Sequence, residues 1–314
     1  MTQSRLKSIP RTNLLEGKLI LVTGVGYKPV LRKFYNPGLK EYSHDSILVD
    51  GEEMKLNMGA AAAFIFAANG ADVVLVSRNR DNLHIVKDNI ESLLELPKEN
   101  RKDYTERISC IPGDLLDSCF VKALVEALPK KKRIYWFSSI GLGAGSYKLK
   151  DDNPYLHLED IPIELLEQES RTVLRGTHLL MQRLLPVFRD QDDSRIAIVS
   201  SMSAIRGYSR GGAHCAAKGA ISRYANSAML DLWKNRIYVT DIRPGIIDTG
   251  MYDGSAVQKA VDEIAKEYSG SFSKDYCLAP PVSVGYAALL AFTSPAHITS
   301  INLVAQGQFP NEGS

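Results

Sequence analysis

A histidine and a lysine lie four residues apart in a run of small residues, and together they could form an acid/base pair. The stretch GGAHCAAKGA covers residues 211–220 and contains His214 and Lys218. Side chains at this spacing share one face of a helix. Imidazole is the usual general acid or base near neutral pH, but a neighbouring ammonium group and burial both disfavour its charged form. We therefore expect a neutral His214, a poor proton donor and a fair base, better suited to alcohol oxidation or enolisation than to carbonyl reduction.

Apolar runs alternate with longer helical patterns along the whole chain. The apolar runs, typical of strands buried on both faces of a parallel sheet, are Lys18–Thr23, Asp72–Ser77, Arg107–Ile111, Ile134–Ser138, Arg195–Ser200, Ile237–Ile242 and Ile301–Val304. The helical patterns lie near residues 58–69, 81–96, 117–128, 161–190, 212–234 and 281–293. This order predicts a doubly wound α/β fold that binds ligands beyond the carboxyl ends of its strands. With no internal repeat or low-complexity linker, we expect one domain over residues 1–314.

One long segment, residues 28–57, interrupts this alternation between the first strand and the first helix. Within it, Asp50-Gly51 separates two short strand-like runs, which favours a two-residue hairpin turn. The two runs are Ser46–Val49 and Glu52–Lys55. A connection of this length is usually functional or disordered. We expect a lid or an oligomer contact, with His44 and Asp45 at its tip exposed to solvent.

Glycines follow the first strand in the stretch TGVG, which comprises Thr23, Gly24, Val25 and Gly26. Glycines at this place let the backbone turn tightly and approach a pyrophosphate, which then lies on a helix N-terminus. The pattern resumes at Gly59, at the start of a helix of small residues. We interpret this as one glycine-rich loop that the insertion splits, although a plain tight turn would also use such glycines.

The ends of the next two strands carry residues that could select a cofactor. The second strand ends at Ser77 and Arg78, and an arginine there can pair with a ribose 2′-phosphate, whereas an acid would bind the 2′-hydroxyl. This favours NADP(H) over NAD(H), with an ordinary surface arginine as the alternative. Asp114 and Leu115 follow the third strand, where a carboxylate could meet the adenine amino group.

The chain resembles the short-chain dehydrogenase/reductase family from about Leu15 to the LVAQG stretch near its end. The matching motifs are TG-x-G at 23–26, NGADVVLVSR at 69–78, Asp114-Leu115, Ser200-Ser201, Lys218 and PGIIDT at 244–249. The resemblance implies a Rossmann-like, mostly parallel seven-stranded sheet flanked by helices, and hydride transfer between nicotinamide C4 and a carbonyl carbon. It also implies cofactor contacts from Gly141, Lys218, Pro244, Gly245 and Thr249.

Three positions near the nicotinamide depart from the family's pattern. The family's catalytic tyrosine falls on His214, its relay asparagine on Val173, and its N-N-A-G stretch on residues 138–141, which read SSIG. The serine that binds the substrate oxygen falls on Ser201, and the lysine that holds the nicotinamide ribose falls on Lys218. The resemblance thus implies that Ser201, His214 and Lys218 form an altered catalytic triad. An alternative is that Ser201 is an ordinary serine at a strand end, with no catalytic role.

Two tyrosines are further candidates for the proton donor. Tyr208 lies in the loop between Ser201 and His214, and Tyr27 lies inside the split glycine loop. Either could be an ordinary loop aromatic. The altered site leaves three functions open: an NADP(H)-dependent oxidoreductase for a carbonyl/alcohol pair, an NADP(H)-binding regulator or scaffold without redox turnover, and a redox-neutral isomerase or cyclase.

Composition limits the partners. The 314 residues carry a formal net charge of +2 and no block of about six like charges, which gives no footprint for nucleic acid. We find neither a signal-peptide core nor an apolar run of about 18 residues for a membrane span. The four cysteines and six histidines are scattered, so we expect no metal site and a reduced, cytoplasmic protein. The expected partners are a small-molecule substrate and, by resemblance, further copies of the chain in a homodimer or homotetramer.

Overall fold

The computed structural model describes residues 3–96, 107–129, 132–142, 153–267 and 277–305. Its strands are β1 (Lys18–Thr23), β2 (Tyr27–Pro29), β3 (Tyr35–Asn36), β4 (Glu41–Tyr42), β5 (Ser46–Val49), β6 (Glu52–Leu56), β7 (Asp72–Ser77), β8 (Ile108–Pro112), β9 (Arg133–Ser138), β10 (Ser194–Val199), β11 (Ile237–Pro244) and β12 (Ser300–Leu303). Seven of them form a parallel sheet in the order β12-β11-β10-β9-β1-β7-β8. This confirms the predicted sheet, with strand ends shifted by at most two residues.

Helices cover both faces of this sheet. They are α1 (Gln3–Lys7), α2 (Met58–Ala68), α3 (Arg80–Leu93), α4 (Ser118–Ala127), α5 (Ile163–Ser170), α6 (Gly176–Arg189), α7 (Gly212–Leu232), α8 (Ser255–Glu267) and α9 (Val282–Thr293). Alternate strand residues point to opposite faces. Ile20 and Val22 therefore pack with α2, α3 and α9, whereas Leu19 and Leu21 pack with α4, α6 and α7. Burial on both faces explains why the strands read as continuous apolar runs.

Two helical regions differ from the sequence prediction. The pattern at 161–190 is two α-helices, α5 and α6, joined by a π-helical turn at Arg171–Arg175. Hydrophobic periodicity does not reveal the extra residue of such a turn, and these turns are frequent at functional sites. Helix α8 was not predicted, although its buried Val257, Ala260 and Val261 have the spacing of an apolar helical face.

The insertion contains a β-hairpin. Strands β5 and β6 pair antiparallel and join β2 in a three-stranded sheet, while β3 and β4 form a separate ribbon. Asp50 and Gly51 connect β5 to β6 with φ angles of 51° and 84°. Positive φ at both central residues is the geometry of a type I′ turn, which the Asp-Gly pair favours.

The expectation that His44 and Asp45 are exposed to solvent is wrong, because both are fully buried. Asp45 accepts hydrogen bonds from the Arg5 guanidinium at 2.7 Å and from the Val282 backbone N–H at 2.7 Å. Burial is the main cause that raises the pKa of Asp45, to about 6. The Nε2 atom of His44 lies 3.1 Å from a Glu53 carboxylate oxygen. Asp45 therefore attaches the insertion to the body of the protein, whereas the His44–Glu53 contact lies within the insertion.

Candidate functional site

The two halves of the glycine loop meet at Asn57, the N-cap residue of α2. Its side-chain Nδ2 donates to the Gly24 carbonyl at 2.8 Å, and its Oδ1 accepts from the Gly26 N–H at 3.1 Å and the Ala60 N–H at 2.9 Å. Its own backbone N–H donates to the Gly26 carbonyl at 3.0 Å. The side chain of one residue thus closes the loop across the 28–57 insertion and also caps the helix that follows.

Glycines in this loop are required by close packing. Gly24 has a φ of +87°, and a Cβ there would lie 2.4 Å from the Ser139 carbonyl oxygen. A Cβ at Gly59 would lie 2.5 Å from the Gly24 carbonyl oxygen. Gly59 therefore allows the first turn of α2 to pack directly on the loop, which is the use expected of the last glycine in such a motif.

One cavity of about 890 Å³ lies beyond the carboxyl ends of the strands and brings most of the predicted site residues together. Those lining it are Gly24, Gly26, Ser77, Arg78, Asp114, Leu115, Gly141, Ser201, His214, Lys218, Pro244, Gly245 and Thr249. Two predicted residues do not line it. Thr23 is buried behind the loop, where its hydroxyl accepts from the Trp136 indole N–H at 3.1 Å, and Gly59 packs as described above. Both residues pack against the glycine loop and do not line the cavity.

The end of the cavity near β7 and β8 has the features of a nucleotide site. Arg78 is exposed at its edge, and no carboxylate of the described residues pairs with the guanidinium. Asp114 lies on the same wall, and its Oδ1 accepts from the Leu116 N–H at 2.9 Å, which fixes the turn after β8. A free guanidinium here can bind an anionic group of a ligand.

The other end of the cavity begins at Ser201, just after β10. The hydroxyl of Ser201 accepts from the Ser203 N–H at 3.1 Å and lies 3.4 Å from the Pro244 carbonyl oxygen, to which it donates. The neighbouring Ser200 donates instead to the buried carboxylate of Asp241. The two adjacent serines therefore have different surroundings, and the Ser201 hydroxyl is held next to the Pro244–Thr249 loop.

His214 and Lys218 lie in the first turns of α7, and both line the cavity. Burial, and secondly the Lys218 ammonium, lower the pKa of His214 to about 3. Burial also lowers the pKa of Lys218, whose Nζ donates to the Val199 carbonyl at 3.3 Å. The imidazole is neutral, as expected from the sequence. A pKa this low also makes the imidazole a weak base.

Two polar residues at this end were missed by the sequence analysis. Glu169 on α5 is 2% exposed and lines the cavity, and its carboxylate opposes the lowering of the Lys218 pKa. Thr172, in the π-helical turn, also lines the cavity. Val173, at the family's asparagine position, packs in the core with α4, α6 and α7. The spacing of Glu169 and Thr172 on one helical face was the signal that could have found them.

Three tyrosines line the cavity: Tyr155, Tyr208 and Tyr252. The rings of Tyr155 and Tyr208 are 6.2 Å apart, and Tyr155 is hydrogen-bonded to Tyr252. A Cβ at Gly211 would lie 2.3 Å from the Tyr208 ring, so this glycine lets the ring pack against the start of α7. Burial raises the pKa of Tyr208 well above its usual value, which keeps the phenol protonated. Tyr27 lines the cavity beside the glycine loop, away from this cluster.

Among the residues that the structure describes, histidine, cysteine and acidic side chains form no cluster that could hold a metal ion. No helix in the same parts of the chain has the length and apolar character to cross a membrane.

Comparison with known proteins agrees with this geometry. The family model described as short chain dehydrogenase matches residues 55–260. An uncharacterized oxidoreductase of Staphylococcus haemolyticus is 24% identical over 241 residues, which are 77% of this chain and 88% of that protein. One of Bacillus subtilis is 24% identical over 255 residues, 80% of this chain and 86% of that protein. The chain belongs to the short-chain dehydrogenase family, and it is an oxidoreductase of that family.

Solved structures show the same fold. The NADP⁺ complex of a serine dehydrogenase is 16% identical with a TM-score of 0.66, covering 94% of this chain and 98% of that one. The NADH complex of a 3-ketoacyl-(acyl-carrier-protein) reductase from Brucella melitensis is 18% identical with a TM-score of 0.64, covering 92% and 97%. Membership of the short-chain dehydrogenase family implies a nicotinamide cofactor, and these two structural neighbours contain different ones.

Proposed function

We propose that the protein is an NADP(H)-dependent oxidoreductase that interconverts a small carbonyl compound and its alcohol. One observation carries this proposal: a single cavity joins the glycine loop and Arg78 at one end to Ser201, His214 and Lys218 at the other. A nucleotide site and a set of proton-handling groups in one cavity is what hydride transfer to a carbonyl requires.

The residues present fit an NADP(H) cofactor. Arg78 would hold the 2′-phosphate, since its guanidinium has no carboxylate partner among the described residues and lines the cavity. Lys218 would hold the nicotinamide ribose, and the Pro244–Thr249 loop would flank the nicotinamide amide. When bound, the nicotinamide supplies or takes the hydride.

The proton must come from the chain's own residues. A neutral imidazole carries an N–H on one nitrogen and a lone pair on the other. His214 can therefore give its N–H proton to the substrate oxygen while its second nitrogen takes a proton from the Lys218 ammonium. The imidazole is neutral before and after this step, so its pKa of about 3 is no obstacle. The lowered pKa of Lys218 makes its ammonium a better acid, and Ser201 would hold the substrate oxygen by a hydrogen bond.

Turnover assays on variants test this proposal. Wild-type protein is mixed with NADPH and a panel of aldehydes and ketones, and the absorbance of the reduced nicotinamide is followed. His214→Ala and Ser201→Ala should lose turnover but keep NADPH binding, because neither side chain is assigned to the cofactor. Unchanged turnover in His214→Ala would exclude the imidazole from the mechanism.

We also propose that copies of the chain associate as a homodimer or homotetramer through the faces of α6 and α7. Leu230 is 72% exposed and Trp233 is 53% exposed at the end of α7, which supports an apolar contact there. The four free cysteines fit a reducing compartment, and we propose the cytoplasm. Light scattering on wild type and Leu230→Glu tests the assembly, and a monomeric wild type would refute it.

A further inference from the structure

The insertion places a fully buried lysine against the loop that follows β11. Lys55, in β6, is 0% exposed, and its Nζ donates to the carboxylates of Asp248 at 2.7 Å and of Asp253 at 2.8 Å. Asp248 belongs to the Pro244–Thr249 loop, which lines the cavity. A lysine is buried in this way only when it is paired, so these two contacts fix the loop to the insertion.

The insertion also supplies the other donors to these two carboxylates. The hydroxyl of Ser43 donates to the second oxygen of Asp248 at 2.6 Å. The backbone N–H groups of Leu31 and Arg32 both donate to the second oxygen of Asp253 at 3.2 Å. Each carboxylate oxygen therefore has a partner from the insertion. Movement of the loop away from the insertion would leave these buried charges unpaired, which is costly.

A second set of contacts reaches α8 and the residues beyond it. Phe34 packs in an apolar cluster with Val257 and Val261 of α8 and with Leu278, and the Lys55 ammonium lies 5.2 Å from the centre of its ring. The Asn36 side chain donates to the Leu278 carbonyl at 3.0 Å. The insertion thus contacts Asp248, helix α8 and Leu278.

Described residues just before and within α8 form an apolar wall of the cavity. Met251 and Tyr252 line the cavity just before α8, and Val261, Ile264 and Ala265 line it from the helix. These side chains line the same cavity as His214. Their position depends on contacts made by the insertion.

We propose that the insertion is a permanent clamp on the substrate wall, with Lys55 as its positioning residue, and that the clamped wall selects compact, apolar carbonyl or alcohol compounds. The substrate part rests on the proposed function, whereas the clamp does not. A wall that is fixed before the substrate arrives lowers the ordering cost of binding but limits the size of what can enter.

A triple variant and a matched control separate the clamp from general stability. Lys55→Met leaves two buried carboxylates without their cation, so it can fail to fold. The triple variant Lys55→Met/Asp248→Asn/Asp253→Asn removes all three charges and keeps side chains of similar size. Lys33→Met is the matched control, because Lys33 lies in the same insertion and pairs with Glu53, but its side chain is 43% exposed.

Limited trypsin digestion tests the clamp without any substrate. Lys259 and Lys266 are exposed on α8, and cleavage after them requires the helix to open locally. Mass spectrometry should show cleavage at these sites about tenfold faster in the triple variant and at the wild-type rate in Lys33→Met. A triple variant with native circular dichroism and wild-type cleavage rates would overturn the clamp. This result is independent of whether wild type turns over any substrate.

Kinetics then test the selection. Wild type should prefer an apolar aldehyde over a carboxylate-bearing aldehyde of equal size by about tenfold or more in kcat/KM. The triple variant should have a KM for the apolar substrate raised about tenfold, with NADPH affinity changed less than about twofold. A preference for the charged substrate, or an unchanged KM in a cleavage-sensitive triple variant, would overturn the substrate part.

Discussion

Acidification should destabilise the protein through His214. Burial, with Lys218 as the second cause, lowers the pKa of this imidazole to about 3 in the folded state. An unfolded histidine titrates near a pKa of about 6.5. Between these two values the unfolded chain binds a proton at His214 and the folded chain does not. The stability associated with the neutral His214 is therefore fully present above the pKa of the unfolded state. It is lost as the pH falls from that value towards the pKa of the folded state.

The size of this loss follows from the two pKa values. Each pH unit below about 6.5 favours the unfolded state by about 1.4 kcal/mol, so the loss at pH 5 approaches about 2 kcal/mol. His214 lines the cavity, where water screens part of the interaction, and we expect about 1 to 2 kcal/mol. This is a large share of the stability of an ordinary domain.

Urea unfolding at pH 7 and pH 5 measures the loss in wild type and in His214→Gln. The glutamine does not titrate, so the free energy of unfolding should fall less in the variant, by the amount calculated for His214. Other titrating groups affect both proteins equally and cancel in the difference. His84→Gln, at an exposed position on α3, is the control and should behave as wild type. An equal loss of stability in His214→Gln and wild type would refute the reasoning.

Three further predictions concern the cofactor site and the proton path. Arg78→Ala should weaken NADPH binding by roughly tenfold to a hundredfold in calorimetry and leave NADH binding unchanged, because it removes a charged hydrogen-bond donor. Glu169→Gln should lower the pKa of Lys218 further and shift the alkaline limb of the pH–rate profile to lower pH, and Glu169→Asp should restore the wild-type profile. An unshifted profile in Glu169→Gln would show that Glu169 has no part in proton transfer through Lys218. Asn57→Ala should lower the unfolding free energy by about 1–2 kcal/mol and also weaken NADPH binding, whereas Asn79→Ala, which removes the N-cap of α3, should cost stability alone.

Local patterns predicted the framework of the fold and the main lines of the site. Continuous apolar runs predicted the seven strands, because strands buried on both sheet faces are apolar along their whole length. The Asp50-Gly51 pair favours a hairpin turn, because both central residues of that turn have positive φ. Several of the family motifs lie at strand ends, so a parallel sheet collects them at one edge. The structure places Arg78, Asp114 and Ser201 in the same cavity for this reason.

Features that depend on long-range contacts were not predictable from local patterns. Lys55 meets Asp248 and Asp253 across 193 and 198 residues, and charged residues in a long loop look solvent-exposed in the sequence. The same ambiguity made the expectation for His44 wrong. The π-helical turn at Arg171–Arg175 also gave no sequence signal, yet it brings Thr172 rather than Val173 to the cavity wall.

Binding of the reduced cofactors to wild type tests the central claim most directly. NADPH and NADH are titrated separately into the purified protein, and the nicotinamide fluorescence is followed. We predict saturable NADPH binding, with NADH at least about tenfold weaker because it lacks the 2′-phosphate assigned to Arg78. Preference for NADH would contradict the assignment of Arg78, and binding of neither cofactor would contradict the proposed function.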